Sequence, residues 1–140
     1  MNYFDGDTLH EECGVIGVYL NERIDAANYV YYGLYALQHR GQQSCGITVN
    51  DDGLFSTYKD LGIVNDVFTH ANLERLGQGN MAIGQVLYAA GSVTRDHAQP
   101  IVVDHTKGRL AIASNVCLVN AYELRQELEL KGSKIGRAHV

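Results

Sequence analysis

The sequence predicts an α+β layered domain. Three observations carry that expectation. Short apolar segments rich in β-branched residues read as strands, two segments repeat their apolar residues every three or four positions, and the strands are joined by short turns rather than by regular helical crossovers. The last feature disfavours a doubly wound parallel sheet, which needs a crossover after each strand.

Taken in order, Cys13 to Leu20 (CGVIGVYL) is a compact apolar run and predicts a buried strand. Asp25 then stands where a helix N-cap would accept a backbone N–H. Ala27, Val30, Leu34 and Leu37 follow on one helical face, and Gly41 is placed to end that helix. Gly46 to Asn50 and Leu54 to Lys59 flank Asp51-Asp52-Gly53, a turn sequence that tolerates positive φ, so they predict a hairpin. Ala71 to Leu76 predicts a helical turn. Met81 to Tyr88 and Leu110 to Ala113 predict further strands, with Lys107-Gly108 turning into the second. Asn120 and Glu123 have the spacing of a capping box, opening a helix expected to turn Leu124 and Leu128 inward.

Length and charge narrow the function classes. At 140 residues the chain is one domain or a piece of one. Its net charge of −5 and the lack of any basic cluster argue against nucleic-acid binding, which requires concentrated Lys and Arg. No apolar run reaches the length of a membrane span. Met1 to Glu12 carries four acidic residues and no apolar core, so it does not read as a secretory signal. Three cysteines, at 13, 45 and 117, lack metal-type spacing, and their odd number fits a reducing cytoplasm.

The chemistry centres on Glu11-Glu12-Cys13-Gly14-Val15-Ile16-Gly17. One reading makes Cys13 a small hydrophobe at a strand end. The other has the chain cut between Glu12 and Cys13, leaving a free α-amine beside the thiol. Such an amine titrates at about 7.7–8.0 and can accept the thiol proton near neutral pH, so one residue supplies nucleophile and base.

The neighbouring motifs bear on that choice. EECGVIGVY, YYGLYALQHRGQQSCGI, HAQP and NVCLVNAYELRQELELKGS occur in this order between Glu11 and Ser133. Together they resemble the glutaminase domain of the amidophosphoribosyltransferases, with LYALQHRGQ and the LVNA-x-ELR run the most specific. Other N-terminal-cysteine amidotransferases, such as the glucosamine-6-phosphate and asparagine synthases, fit less well.

The resemblance implies a four-layer αββα sandwich of the N-terminal-nucleophile hydrolase type, incomplete at its C-terminus. It implies a propeptide at 1–12, a partial glutamine amidotransferase domain at 13–133, and a cytoplasmic enzyme forming homo-oligomers. The implied reaction hydrolyses glutamine to glutamate and ammonia. The ammonia passes to a phosphoribosyl pyrophosphate site in a phosphoribosyltransferase domain outside this chain, for phosphoribosylamine synthesis in purine biosynthesis. No cofactor is implied for this segment; the full-length family enzyme uses magnesium and, in some relatives, an iron–sulfur cluster.

Carried over residue by residue, the resemblance makes Cys13 the nucleophile, and the Asn115 side-chain amide and Val116 N–H the oxyanion donors. Arg40 and Tyr88 become glutamine-pocket residues. Each also has a plainer reading: Asn115 as a turn residue, Arg40 as a cation at a helix C-terminus, and Tyr88 as an ordinary strand tyrosine.

Several positions depart from the family pattern. Where the family reads His-Val-Arg-Tyr, this chain has Gln85-Val86-Leu87-Tyr88, and leucine cannot form the bidentate clamp that arginine makes on a carboxylate. Losing such a charged hydrogen bond costs about 1.5–3 kcal/mol. The segment after Tyr88 is one residue shorter than the family pattern. Where the family reads His-Asn-Gly-Asn, this chain has Ser114-Asn115-Val116-Cys117, and a β-branched Val116 would be strained if that position requires positive φ. Gln43 and Cys45 replace an acidic residue and an alanine, with Cys45 expected in the core. Lys134 to Val140 reads as translated sequencing-adapter read-through, a non-native tail. A chain ending there would be expected to leave apolar faces uncovered and to be inactive alone. These departures also support an alternative role, a degenerate, non-catalytic glutaminase-like module serving structure or regulation.

Overall fold

The structure, a computed structural model, describes residues 13–89, 91–116 and 118–133. The expected propeptide, the expected non-native tail and Cys117 lie outside the described residues.

Strand β1 (Cys13–Ile24) opens a four-stranded antiparallel sheet and lies at its edge. Ile16, Val18 and Leu20 pack into the core, whereas the alternate residues Val15 and Tyr19 are exposed. The expected buried strand is therefore half-buried. Only one face of this edge strand is covered, so its apolar run behaves as an alternating one.

Helix α1 (Ala26–Leu37) starts as the sequence predicts, the Asp25 carboxylate accepting the Asn28 N–H at 3.2 Å. Ala27, Val30 and Leu34 are fully buried and Leu37 packs beside them. A single 3-10 turn (Gln38–Arg40) follows. Gly41 does not act as a left-handed cap, since its φ of −167° is extended. A side chain is excluded there because a Cβ would stand 2.7 Å from the backbone carbonyl carbon of Leu87.

Strands β2 (Ser44–Asp51) and β3 (Leu54–Leu61) form the expected hairpin, each longer than its apolar core suggested. Asp52 and Gly53 take φ values of 50° and 89°, and Asn50 Oδ1 accepts the Gly53 N–H at 2.7 Å. Two short helices, α2 (Val64–Val67) and α3 (His70–Leu76), close the helical side with Val64, Val67, Phe68 and Leu76. The second contains the expected turn; α2 is too short to show a helical period in sequence.

Strand β4 (Gly79–Leu87) inserts between β1 and β2, giving the order β1-β4-β2-β3. A second, two-stranded antiparallel sheet pairs β5 (Ile101–His105) with β6 (Gly108–Ile112). Helices α1 to α3 contribute to the core on one face of the larger sheet. The opposite face receives the segment leading into β5. Lys59 Nζ donates to the carbonyls of Ala98 and Pro100 at 2.7 and 3.1 Å, and a Cβ on Gly46 would stand 2.1 Å from the Gln99 carbonyl oxygen. Farther along that face, Thr48, Met81 and Ile83 share a cleft with Leu110 and Ala111 of β6.

Helix α4 (Ala121–Leu130) forms where expected but not as expected. Asn120 makes no side-chain cap bond, and Leu124 and Leu128 are exposed rather than inward. No described layer closes over the helix, so its surface is held by Arg125–Glu129 and Lys131–Glu127 pairs at i,i+4 spacing. No helix among the described residues is long and apolar enough to cross a membrane.

Candidate active site

The sheet register gathers the site at one end of the larger sheet. Cys13, the first residue of β1, pairs with Leu87 near the end of β4, and Leu87 pairs on its other side with Ser44 at the start of β2. The loop after α1 crosses this end. Close approach of Gly41 to Leu87 lets the loop lie flat there. Gln43 fastens it, donating its N–H to the Leu87 carbonyl at 3.1 Å and accepting the Ala89 N–H on its side-chain oxygen.

Two side chains converge on one backbone oxygen. Arg40 Nε donates to the Cys13 carbonyl at 2.7 Å, and Asn115 Nδ2 donates to the same carbonyl at 3.3 Å. Asn115 lies 102 positions along the chain from Cys13, so this meeting is a product of the fold. The Cys13 thiol points to the Tyr88 carbonyl at 3.5 Å. Cys13 is buried, at 7% exposure, and the adjoining Tyr88 is 47% exposed. Tyr88 lies one residue past β4, not in the strand as expected, and it meets the thiol through its backbone carbonyl.

Three of the four companions expected around Cys13 are therefore in its neighbourhood: Arg40, Asn115 and Tyr88. Val116 follows Asn115 and is 73% exposed. Among the described residues only Asp52 combines a side chain with positive φ, so the condition under which Val116 would be strained is not met. Leu87 occupies the cross-strand position directly beside Cys13 on the same sheet face. The position where the family pattern has arginine is thus adjacent to the thiol, and here it is aliphatic.

Cys45 behaves as a core residue. It is buried, and that burial, with a smaller contribution from Asp60, pushes its thiol pKa up to about 12. At neutral pH it stays protonated and unreactive. Farther from the thiol, Arg95 grips Asp60 through Nε at 2.9 Å and a second guanidinium nitrogen at 2.5 Å, holding that carboxyl below its ordinary range. This pair anchors the turn before β5 to β3. Among the described residues no three His, Cys, Asp or Glu side chains gather as they would to hold a metal.

Sequence reasoning missed the glutamines that build the site. Gln85 is 1% exposed, and its Nε2 donates to the Ser114 carbonyl at 2.6 Å. Gln99 Oε1 accepts the Ser114 N–H at 2.7 Å. A glutamine inside the apolar run MAIGQVLY is the available signal, because a buried amide requires a specific partner.

No family model matches the chain. Similar proteins are found among amidophosphoribosyltransferases. That of Methanocaldococcus jannaschii is 46% identical over 121 residues, covering 86% of this chain and 26% of the relative. Those of Bacillus subtilis and Homo sapiens are 42% and 40% identical over 127 and 128 residues, covering 89% and 86% of this chain. Among solved structures, the B. subtilis glutamine phosphoribosylpyrophosphate amidotransferase complexed with ADP and GMP superposes with a TM-score of 0.76 at 37% identity. A structure described as the allosteric regulatory enzyme of purine biosynthesis gives 0.79 at 38% identity. Each superposition covers 87% of this chain and 26% of the other, and these neighbours have the N-terminal-nucleophile hydrolase fold. The chain thus spans about a quarter of the length of the relatives it matches.

Proposed function

This chain is a homologue of the amidophosphoribosyltransferases of purine biosynthesis over about a quarter of their length, and on that premise we propose that it is the glutaminase part of such an enzyme. The observation that carries the reading is the convergence of Arg40 and Asn115 on the backbone of Cys13.

In this mechanism, removal of residues 1–12 frees the Cys13 α-amine, which takes the proton from the adjacent thiol. The thiolate sulfur attacks the side-chain amide carbon of glutamine, and the carbonyl electrons move onto oxygen. Asn115 Nδ2 and the Val116 N–H stabilise that oxyanion. At 3.3 Å the Asn115 bond to Cys13 is long, so exchanging it for a charge-assisted bond to the oxyanion is favourable. The tetrahedral intermediate collapses with C–N cleavage, and the α-ammonium returns its proton to the departing nitrogen as ammonia leaves. Water then opens the thioester through a second oxyanion, giving glutamate and the free thiol.

Arg40 fixes the nucleophile's backbone and Tyr88 forms a wall of the glutamine pocket. The ammonia is delivered to a phosphoribosyltransferase domain elsewhere in the complete protein, which acts as a cytoplasmic homo-oligomer. Magnesium and any iron–sulfur cluster belong to that remainder.

A second reading, a non-catalytic glutaminase-like module used for packing or regulation, is favoured by Leu87. Its aliphatic side chain stands beside the thiol where the family pattern has arginine. Incubating the complete protein with diazo-oxo-norleucine, followed by peptide mapping, separates the two. The catalytic reading predicts one adduct on Cys13 and none on Cys45. A protein that remains unlabelled at Cys13 supports the non-catalytic module.

A further inference from the structure

Asn115 lies outside every strand and helix, on an exposed segment between β6 and α4. Such a position does not by itself aim a side chain. Its immediate predecessor, however, is held on both backbone polar groups. The Ser114 N–H donates to Gln99 Oε1 at 2.7 Å, and the Ser114 carbonyl accepts from Gln85 Nε2 at 2.6 Å. The Ser114 hydroxyl adds a longer contact to Gln99 Oε1 at 3.4 Å.

The two glutamines are themselves anchored. Gln85 is buried on β4, where its residue pairs with Val15, two positions beyond Cys13. Gln99 lies on the segment pressed against Gly46 and flanked by the two carbonyls that Lys59 binds. The larger sheet therefore fixes both the nucleophile strand and, through two side-chain amides, the residue preceding Asn115.

We infer that Gln85 and Gln99 are positioning residues that clamp Ser114 and thereby set the Asn115 amide against Cys13. The inference rests on the glutaminase reading for its kinetic consequences but not for its geometry. The clamp is polarised: Gln85 must donate and Gln99 must accept. The same substitution therefore has opposite effects at the two positions. Gln99→Glu keeps an acceptor for the Ser114 N–H, whereas Gln85→Glu sets a carboxylate against a carbonyl and removes the donor.

The test uses the complete protein and two readouts. In glutaminase assays, Gln99→Met and Gln85→Glu are expected to lower kcat roughly a hundredfold, as a misplaced catalytic group does, with KM for glutamine unchanged. Gln99→Glu is expected to retain near-normal kcat. In an Asn115→Ala background, adding Gln99→Met should cause no further loss, because the clamp acts only through Asn115. Full additivity, or equal damage from Gln99→Glu and Gln99→Met, would overturn the inference.

The second readout does not depend on turnover. Nuclear magnetic resonance relaxation of the Asn115 side-chain amide should report a restricted group in the wild type and a mobile one in Gln99→Met. An amide equally ordered in both overturns the clamp even if no glutamine is hydrolysed. A protein without glutaminase activity but with the predicted loss of order rejects the proposed function and retains the clamp. Gln99 is only partly buried, so Gln99→Met decides the matter even if Gln85→Glu fails to fold.

Discussion

At Cys13 two side-chain donors meet one carbonyl oxygen, and what each does there is separable by substitution. Asn115→Ala removes the proposed oxyanion donor. Loss of such a donor costs about 2.7–4 kcal/mol, so kcat for glutamine hydrolysis should fall roughly 10²- to 10³-fold with little change in KM, measured by ammonia release. A fall confined to KM would mean that Asn115 binds glutamine rather than the oxyanion. Leu87→Arg restores a carboxylate clamp directly across from the thiol. It should lower KM for glutamine about tenfold or more, and an unchanged KM would show that the pocket lacks its substrate carboxylate site for another reason.

Some of these residues were legible in the sequence and others were not. Cys13, Arg40, Asn115 and Tyr88 were named from motifs, and the fold gathers them at one sheet end. Gln43, Gln85 and Gln99 were not credited, because a glutamine's role depends on which carbonyl or N–H the tertiary structure presents to it. Gln85 was read only as a departure from a pattern, whereas it is a buried donor to Ser114. Strain at Val116 was expected only if its position required positive φ, and the backbone there does not enter the left-handed region.

At the scale of elements, α1 is the principal support of the sheet. Leu34 is fully buried in the same cluster as Ile47, Val49 and Val86, and Leu34→Ala should destabilise the protein by about 2–5 kcal/mol. Urea denaturation checks this, and a change below about 1 kcal/mol would place the main support elsewhere. Helix α1 was legible because its cap and its three-to-four spacing are local signals. The β2–β3 hairpin was legible because Asp52-Gly53 fits the φ values that its turn requires. By contrast, the burial of β1 and the orientation of α4 depend on what covers them, which local sequence does not encode. β1 is an edge strand with one open face, and α4 keeps Leu124 and Leu128 in solvent. Strand β5 escaped notice because five residues after a proline are too few to establish a period of two.

At the scale of the whole molecule, the architecture brings two donors to the Cys13 carbonyl, from 27 and 102 positions away along the chain. The proposed glutaminase chemistry requires Cys13 to carry a free amine. The measurement that tests this most directly is mass spectrometry of the N-terminal peptide of the complete protein, purified from its native host. The account predicts a mature chain beginning at Cys13, with the acidic residues through Glu12 removed. A mature protein still carrying Glu12 in peptide linkage to Cys13 would contradict it, because the thiol would then lack its base.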